Sequence, residues 1–517
     1  MLGYLLTINA ARRAEDVAVV FGARRYSYGE LNERACRLAN GLLAMGVRPG
    51  ERVAALLHNC NQFVECLFGA AKIGAVFVPV NFRLVAREIG LLLDACTPKL
   101  LLAGEGFGSV VATLRERESF PAHLLWIDDQ PPQGRSSHPY EAWLEKQAAS
   151  EPSAVVQPGA VQILLHSSGT TGLPKGAIYT HATTLASSTA KIIDFGLTPR
   201  DTTVVFGPLF HAGPLMDLAM PLLLRGGRLV IGASGGFDPQ RLLASVAEER
   251  ATVMPIYPTM LRRVLAETDI ESFDISSLRL IVTGGEAAPL PVIRGVLERF
   301  PRAGFVNNYG STEGGPITCF LEPAESARKI GSVGKESFSV EIRIADAEDR
   351  PLEPGNVGEI LVRSPFVCRG YWNRADLTAE SQRNGWWHTG DLAWRDEEGF
   401  LTIAGRKKDL IKSGTESIYP IEVEQVIASL PGVTEVGVVG VPDEEWGEAV
   451  AAFVVAAPGS DIGAGQVVGH CRRNLASYKK PRHVRFLEAL PRNTTNKIDK
   501  NALRALFSST AGSGAPS

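Results

Sequence analysis

From Tyr26 to Val80 the hydrophobic positions switch repeatedly between two periods. YSYGELNERACRLANGLLAMG carries its apolar residues at helical spacing, ERVAALLHN reads as a short strand, and AAKIGAVFVPVN reads as a helix turn running into a strand. Such alternation predicts an α/β architecture. It resumes after the Pro-, Gln- and Ser-rich stretch 130–138 with the apolar strands VQILLHS, GGRLVIG and LRLIVTGG, each flanked by helical segments. These predict the buried strands of a large layered domain.

Beyond Gly358 the pattern changes to short strands and turns, GEILVRSPFVCRGYW and GFLTIAG, followed by the charged joint GRKKDLIKSG. IEVEQVIASL then predicts an amphipathic helix, VTEVGVVGVPD and EAVAAFVVAA predict strands, and GQVVGHCRRNLASY predicts a further helix. This last portion has the size of a compact α+β domain. The small polar residues of 508–517 predict a disordered tail.

Composition adds limits. A chain of 517 residues exceeds what one core of about 250–300 residues can organise, so at least two domains are expected. A net charge of -3 offers no overall positive field for a nucleic acid. Seven scattered cysteines without a CxxC pair argue against zinc or a disulfide framework and predict a reduced, cytoplasmic protein. No apolar run reaches the roughly 18 residues of a membrane span, and the N-terminal arginines follow the apolar stretch instead of preceding it.

The sharpest chemical signal follows the strand VQILL: His166-Ser167-Ser168-Gly169-Thr170-Thr171-Gly172-Leu173-Pro174-Lys175-Gly176. Glycines let backbone N–H groups curl around an anion, hydroxyls add donors and lysine adds charge, which suits a polyphosphate. It is not a Walker A loop, because Lys175 is preceded by proline and followed by glycine.

SSGTTGLPKG resembles the signature of the adenylate-forming superfamily, of the acyl-CoA synthetase type. Other motifs of that family follow in its order: YSYGELN, AAKIGAVFVPVN, PLFHAGPL (208–215), NNYGSTEG (307–314), GYWNRADLT, GWWHTGDL, GRKKDLIKSG and LPRNTTNKIDK (490–500). The resemblance covers nearly the whole chain. It implies a large multi-subdomain N-terminal AMP-binding domain over 1–407 and a small mobile α+β C-terminal domain over 408–507, hinged at Lys408.

The implied activity is an ATP-dependent acid:CoA ligase, forming acyl-AMP and then acyl-CoA, with Mg²⁺ and coenzyme A taking part. Ser168, Gly169, Thr170, Thr171, Gly172 and Lys175 would cradle the β- and γ-phosphates. Thr312 would bond the α-phosphate and Glu313 would hold Mg²⁺. Gly284, Gly285 and Glu286, with Asn308, Tyr309, Gly310 and Ser311, would enclose the adenine, and Asp391 and Arg406 would grip the ribose. Lys497 would carry adenylation by bridging the carboxylate and the α-phosphate.

His211 would order the acyl site. Histidine where amino-acid-activating relatives carry aspartate favours a plain carboxylic acid, fatty (medium or long chain) or aromatic, in a pocket that includes Ile256, Tyr257 and Pro258. Gly414, Trp446, Tyr478, Lys480 and Arg482 would meet CoA. Three positions depart from the family: Gly414-Thr415-Glu416-Ser417 stands for Gly-Gly-x-Asn, Asn496 for a glycine before the lysine, and His166 for a common tyrosine. Thr415 is the serious one, since a β-branched residue narrows a path that glycine leaves open. Loading of a carrier protein and an inactive binding homologue are the alternatives; a homodimer is left open.

Overall fold

The structure is a computed structural model and describes residues 1–104, 106–128, 137–167, 175–267, 269–414, 416–493 and 497–511. Two large sheets dominate the first part. In the nine-stranded sheet the central strands Gly304–Ser311, Leu280–Thr283, Val253–Pro255, Thr202–Val205, Arg228–Ile231 and Val17–Phe21 lie side by side and parallel. The seven-stranded sheet is built around Leu100–Ala103, Arg52–Leu56, Val76–Pro79 and Val161–Ser167, and ends in the antiparallel hairpin partner Lys175–Thr180.

Local sequence explains the framing helices. Tyr28–Ala44 starts at Ser27, whose hydroxyl accepts from Glu30 N while Glu30 returns the bond to Ser27 N, a capping box that satisfies two free donors. Asn61–Lys72 is buried along its whole length and touches strands of both sheets, forming the layer between them. Its four polar side chains are buried with partners: Asn61 donates to Glu65, Gln62 to Glu141 and Lys72 to Glu151, while Glu65 pairs with Arg34. The N-terminal helix Leu2–Arg12 is held by Asn9, which donates to the carbonyls of Leu223 and Leu224 at 3.0 Å each.

A five-stranded antiparallel sheet follows, containing Gly358–Arg363, Trp386–Arg395 and Leu401–Arg406. The last sheet pairs the long strands Val433–Asp443 and Gly447–Ala456, with the helices Pro420–Ala428 and Ala464–Asn474 against it. Its core of Ile411, Ile418, Val423, Ile427, Val438, Val454 and Val467 is separate from those of the larger sheets. The tail differs from expectation. The helix Lys500–Ala511 continues through the first four residues of the stretch 508–517, because the i→i−4 ladder that begins at Lys500 carries on through small residues that do not break it.

Candidate active site

Parallel sheets place ligands at the carboxyl ends of their strands. In the nine-stranded sheet four such ends are neighbours. The segment with His211 leaves Thr202–Val205, Ile256-Tyr257-Pro258 leaves Val253–Pro255, Gly284-Gly285-Glu286 leaves Leu280–Thr283, and Thr312-Glu313 leaves Gly304–Ser311. Motifs up to a hundred residues apart in sequence are thereby set along one cleft.

Glycines make the close approaches. A methyl group on Gly284 would lie 2.4 Å from Asn308 Oδ1, and Asn308 Nδ2 donates to the Thr283 carbonyl at 2.7 Å, so this crossing admits only glycine. Gly285 has φ +82, and a methyl there would meet the Tyr257 ring at 3.0 Å. Gly310 faces the Pro316 carbonyl, which a methyl would approach to 2.0 Å. Ser311 Oγ accepts from Gly314 N at 2.8 Å and fixes the turn that carries Thr312 and Glu313.

Tyr309 donates to Asp391 Oδ2 at 2.7 Å, and Arg406 Nε meets Asp391 Oδ1 at 3.1 Å. Asp391 and Arg406 are opposed in register on adjacent strands, so the pair is built by the sheet. Glu286 accepts from Thr259 N at 3.2 Å; burial raises its carboxyl above the ordinary range, with Arg492 and Lys497 among the groups that oppose the shift.

Lys497 comes from the small domain and lies among these groups. Burial lowers its ammonium from the ordinary lysine value and Arg406 adds to the lowering, while Glu286, Asp391 and Glu313 oppose it. Its surface nevertheless remains accessible. Both hold for a side chain that reaches into a cleft walled by protein on most sides. His211 has the same character: burial first, then the charges of Lys497 and Arg83, push its imidazole down to about 4. It is therefore neutral at pH 7.

The expected phosphate-loop residues Ser168, Gly169, Thr170, Thr171 and Gly172 lie outside the described residues, as do Thr415 and Asn496. What flanks the loop is clear. Ser167 pairs with Lys175 and His166 with Gly176 across the hairpin, and a methyl on Gly176 would stand 3.0 Å from His166 Nε2. Burial lowers His166 to about 4. Lys175 Nζ lies 5.9 Å above the Tyr371 ring, and Tyr371 donates to Glu313 Oε1 at 3.3 Å, which links the hairpin to the acidic turn. Tyr179 adds a second link by donating to the Thr312 carbonyl at 2.9 Å.

Lys408 sits in the tight turn Lys407–Asp409 between the last two sheets, where burial and Arg406 lower its ammonium. Gly414 (φ +63) donates its N–H to the Trp446 carbonyl at 2.7 Å, and a methyl on it would press on the Trp446 ring at 2.9 Å. Arg482 lies 5.8 Å over that exposed ring and binds Asp443 at 3.2 Å. Gly414, Trp446 and Arg482 thus form one cluster. Tyr478 is exposed on the turn Ser477–Lys479, and Lys480 donates to the Ser477 carbonyl at 2.8 Å.

Residues that the sequence reading passed over also build the site. Asn59 Nδ2 donates to Gly207 O at 2.9 Å and its Oδ1 accepts from Leu209 N at 2.9 Å, clamping the turn ahead of His211. Arg83 belongs to the same region through its charge on His211 and Tyr257. An asparagine at a strand end and an arginine in a loop carry no local signal of such roles.

Parallel strand ends that converge on a tyrosine–aspartate–arginine cluster, with a lysine delivered from a second domain, define a nucleotide-handling α/β enzyme of two domains. The chain belongs to the AMP-binding enzyme family: that family's model matches residues 6–372, and the model of the AMP-binding enzyme C-terminal domain matches residues 422–497. It is 38% identical to a feruloyl-CoA synthase of Amycolatopsis sp over 493 residues, 95% of this chain and 96% of the relative. It is 37% identical to an indoleacetate–CoA ligase of Aromatoleum aromaticum over 96% of both chains. The anthranilate CoA ligase AuaEII in complex with anthranoyl-AMP superposes with a TM-score of 0.91 at 27% identity, over 99% of this chain and 98% of the other.

Proposed function

We propose that this chain is an ATP-dependent acid:CoA ligase for a fatty or aromatic acid. The observation that carries the reading is Lys497, brought by the small domain into the field of Glu286, Asp391 and Glu313. In the first step a carboxylate oxygen attacks the α-phosphorus of ATP, the bond to the β-phosphate oxygen breaks, and pyrophosphate leaves. Lys497 stabilises charge shared by the attacking carboxylate and the α-phosphate, a role in which a preplaced cation acts most strongly when water is excluded. Asp391, oriented by Tyr309 and Arg406, accepts from the ribose hydroxyls, and the backbone of Gly284-Gly285-Glu286 lies along the base.

Thr312 and Lys175 address phosphate oxygens. Among the described residues no three His, Cys, Asp or Glu side chains form a self-contained metal cage. A single carboxylate fits Mg²⁺, which is commonly held by one or two carboxylates together with substrate phosphates. Glu313 would hold it, and bound there it would neutralise charge on the phosphates.

In the second step the CoA thiolate attacks the acyl carbonyl and AMP leaves with the electron pair of the broken C–O bond. Lys497 has no part in that step, and rotation about Lys408 exchanges it for the CoA-facing surface at Gly414, Trp446, Tyr478, Lys480 and Arg482. His211, neutral and within the field of Lys497, positions the carboxylate. No helix among the described residues is long and apolar enough to cross a membrane. The seven free, buried thiols suit a reducing cytoplasm.

The test is a panel of carboxylic acids assayed for pyrophosphate and AMP with and without CoA. CoA-dependent thioester and AMP formation is expected; pyrophosphate release that CoA never converts to thioester would point to a different acceptor.

A further inference from the structure

One half-buried carboxyl, with one oxygen sealed from solvent, takes no part in the chemistry above. Asp217 lies in Gly213–Ala219, a π-helical turn that begins two residues after His211. Turns of this width are rare and concentrate at functional sites. The turn packs on the helix His181–Asp194 and on strands of the nine-stranded sheet, and its neighbours Leu215, Met216, Leu218 and Ala219 are buried and apolar. A carboxyl in such surroundings requires a partner.

Asp217 Oδ1 is sealed from solvent, and among the described residues no donor reaches it. Lys191, fully buried on the adjacent helix, donates to the Ile317 carbonyl at 2.9 Å and lies 4.2 Å over the face of Phe366. It gives Asp217 a favourable field without a hydrogen bond. Burial raises the Asp217 carboxyl and Lys191 opposes the rise; burial likewise lowers the Lys191 ammonium, and Asp217 opposes that fall.

The other oxygen faces the acyl region. A methyl group on Gly213 would lie 3.0 Å from the Tyr257 hydroxyl and 3.5 Å from Asp217 Oδ2, so Gly213 keeps open a space that these two groups border. The same Tyr257 ring stands 3.0 Å from a methyl on Gly285. One ring therefore separates the nucleotide segment from Asp217, with His211 at the head of the same turn.

We propose that Asp217 is a specificity-determining residue that hydrogen-bonds an O–H or N–H donor on the acyl part of the substrate, beside the Tyr257 hydroxyl. The inference rests on the acid:CoA ligase reading and sharpens it: the acid is hydroxy- or amino-substituted, with its carboxylate at His211 and its donor at Asp217. An unsubstituted acid leaves Oδ2 of this half-buried carboxyl without a donor, the situation in which binding sites discriminate most strongly.

The test measures ATP-dependent pyrophosphate release by the full chain with benzoate, its 4-hydroxy, 4-amino and 4-methoxy derivatives, the matching cinnamates, and decanoate against 10-hydroxydecanoate. In at least one set the donor-bearing acid should exceed its unsubstituted and methoxy counterparts by about tenfold or more in kcat/KM. Asp217→Leu should remove that preference while unsubstituted acids still turn over. Because Asp217→Leu leaves Lys191 without its counter-charge, the double variant Asp217→Leu/Lys191→Met provides a charge-neutral version expected to show the same loss. A preference for unsubstituted acids in every set, or one that neither variant alters, overturns the proposal. No pyrophosphate from any acid would instead remove the ligase reading, and this inference with it.

Discussion

Arg262 of the large domain grips Glu435 of the small domain, and Glu435 in turn holds Arg492, five residues before Lys497. Arg262 Nη1 also donates to the Thr434 carbonyl at 2.6 Å, and Arg492 Nη2 meets Glu435 Oε2 at 2.9 Å. Arg262 lies on the helix Pro258–Ala266, which starts at the acyl segment. This chain of charges ties the loop that carries Lys497 to the helix that follows Ile256-Tyr257. In the proposed cycle it is made when the small domain docks with Lys497 inward.

Glu435→Gln should therefore weaken docking and slow adenylation. Partly exposed pairs contribute up to about 1 kcal/mol each, and two share this carboxylate, so a loss of about three- to tenfold is expected. Thioester formation from supplied acyl-AMP should be unchanged or faster. Single-turnover measurement of each half-reaction checks this, and equal slowing of both would show that Glu435 is merely structural.

His211 makes a prediction about acid. Its value falls from 6.5 to about 4 on folding, through burial first and then Lys497 and Arg83. The unfolded chain takes up a proton near 6.5 that the folded chain refuses until about 4. The contribution is thus complete above 6.5 and is lost as pH falls through that window, at about 1.4 kcal/mol per unit. Melting temperature should fall less between pH 7 and pH 5 in His211→Gln than in the native chain. Parallel declines would place the imidazole in a solvated setting.

The element pattern and the motif order were legible in the sequence because both are local. The strands VQILLHS, GGRLVIG and LRLIVTGG appear as Val161–Ser167, Arg228–Ile231 and Leu280–Thr283. Groups whose meaning depends on strand order were not legible. Asn59 clamps a turn 150 residues away in sequence and Tyr179 holds Thr312 across 133 residues, and neither stands in a distinctive local pattern. Asp217 stands in the apolar run GPLMDLAMPLLL with no motif around it, and its isolation becomes visible only once Lys191 is seen to be engaged elsewhere. The residues 508–511 were misread because small polar composition resembles a tail, whereas the helix ahead of them simply continues.

Gly414 tests the acceptor side. Its φ of +63 disfavours any side chain by about 1–2 kcal/mol, and a methyl would also press on Trp446. Gly414→Ala should slow thioester formation about five- to thirtyfold and leave pyrophosphate release in the absence of CoA near the native rate. Stopped-flow measurement of both steps decides it; loss confined to adenylation would move this loop out of the CoA path.

In the proposed mechanism Lys497 serves the first half-reaction and not the second. The direct measurement compares Lys497→Ala with the native chain in two assays: pyrophosphate release from ATP and acid, and thioester formation from acyl-AMP and CoA. Pyrophosphate release should fall by about 10²–10³, the usual cost of removing one preplaced charge-stabilising group, while thioester formation stays close to native. An equal loss in both assays would contradict the division of labour and with it the assignment of Lys497.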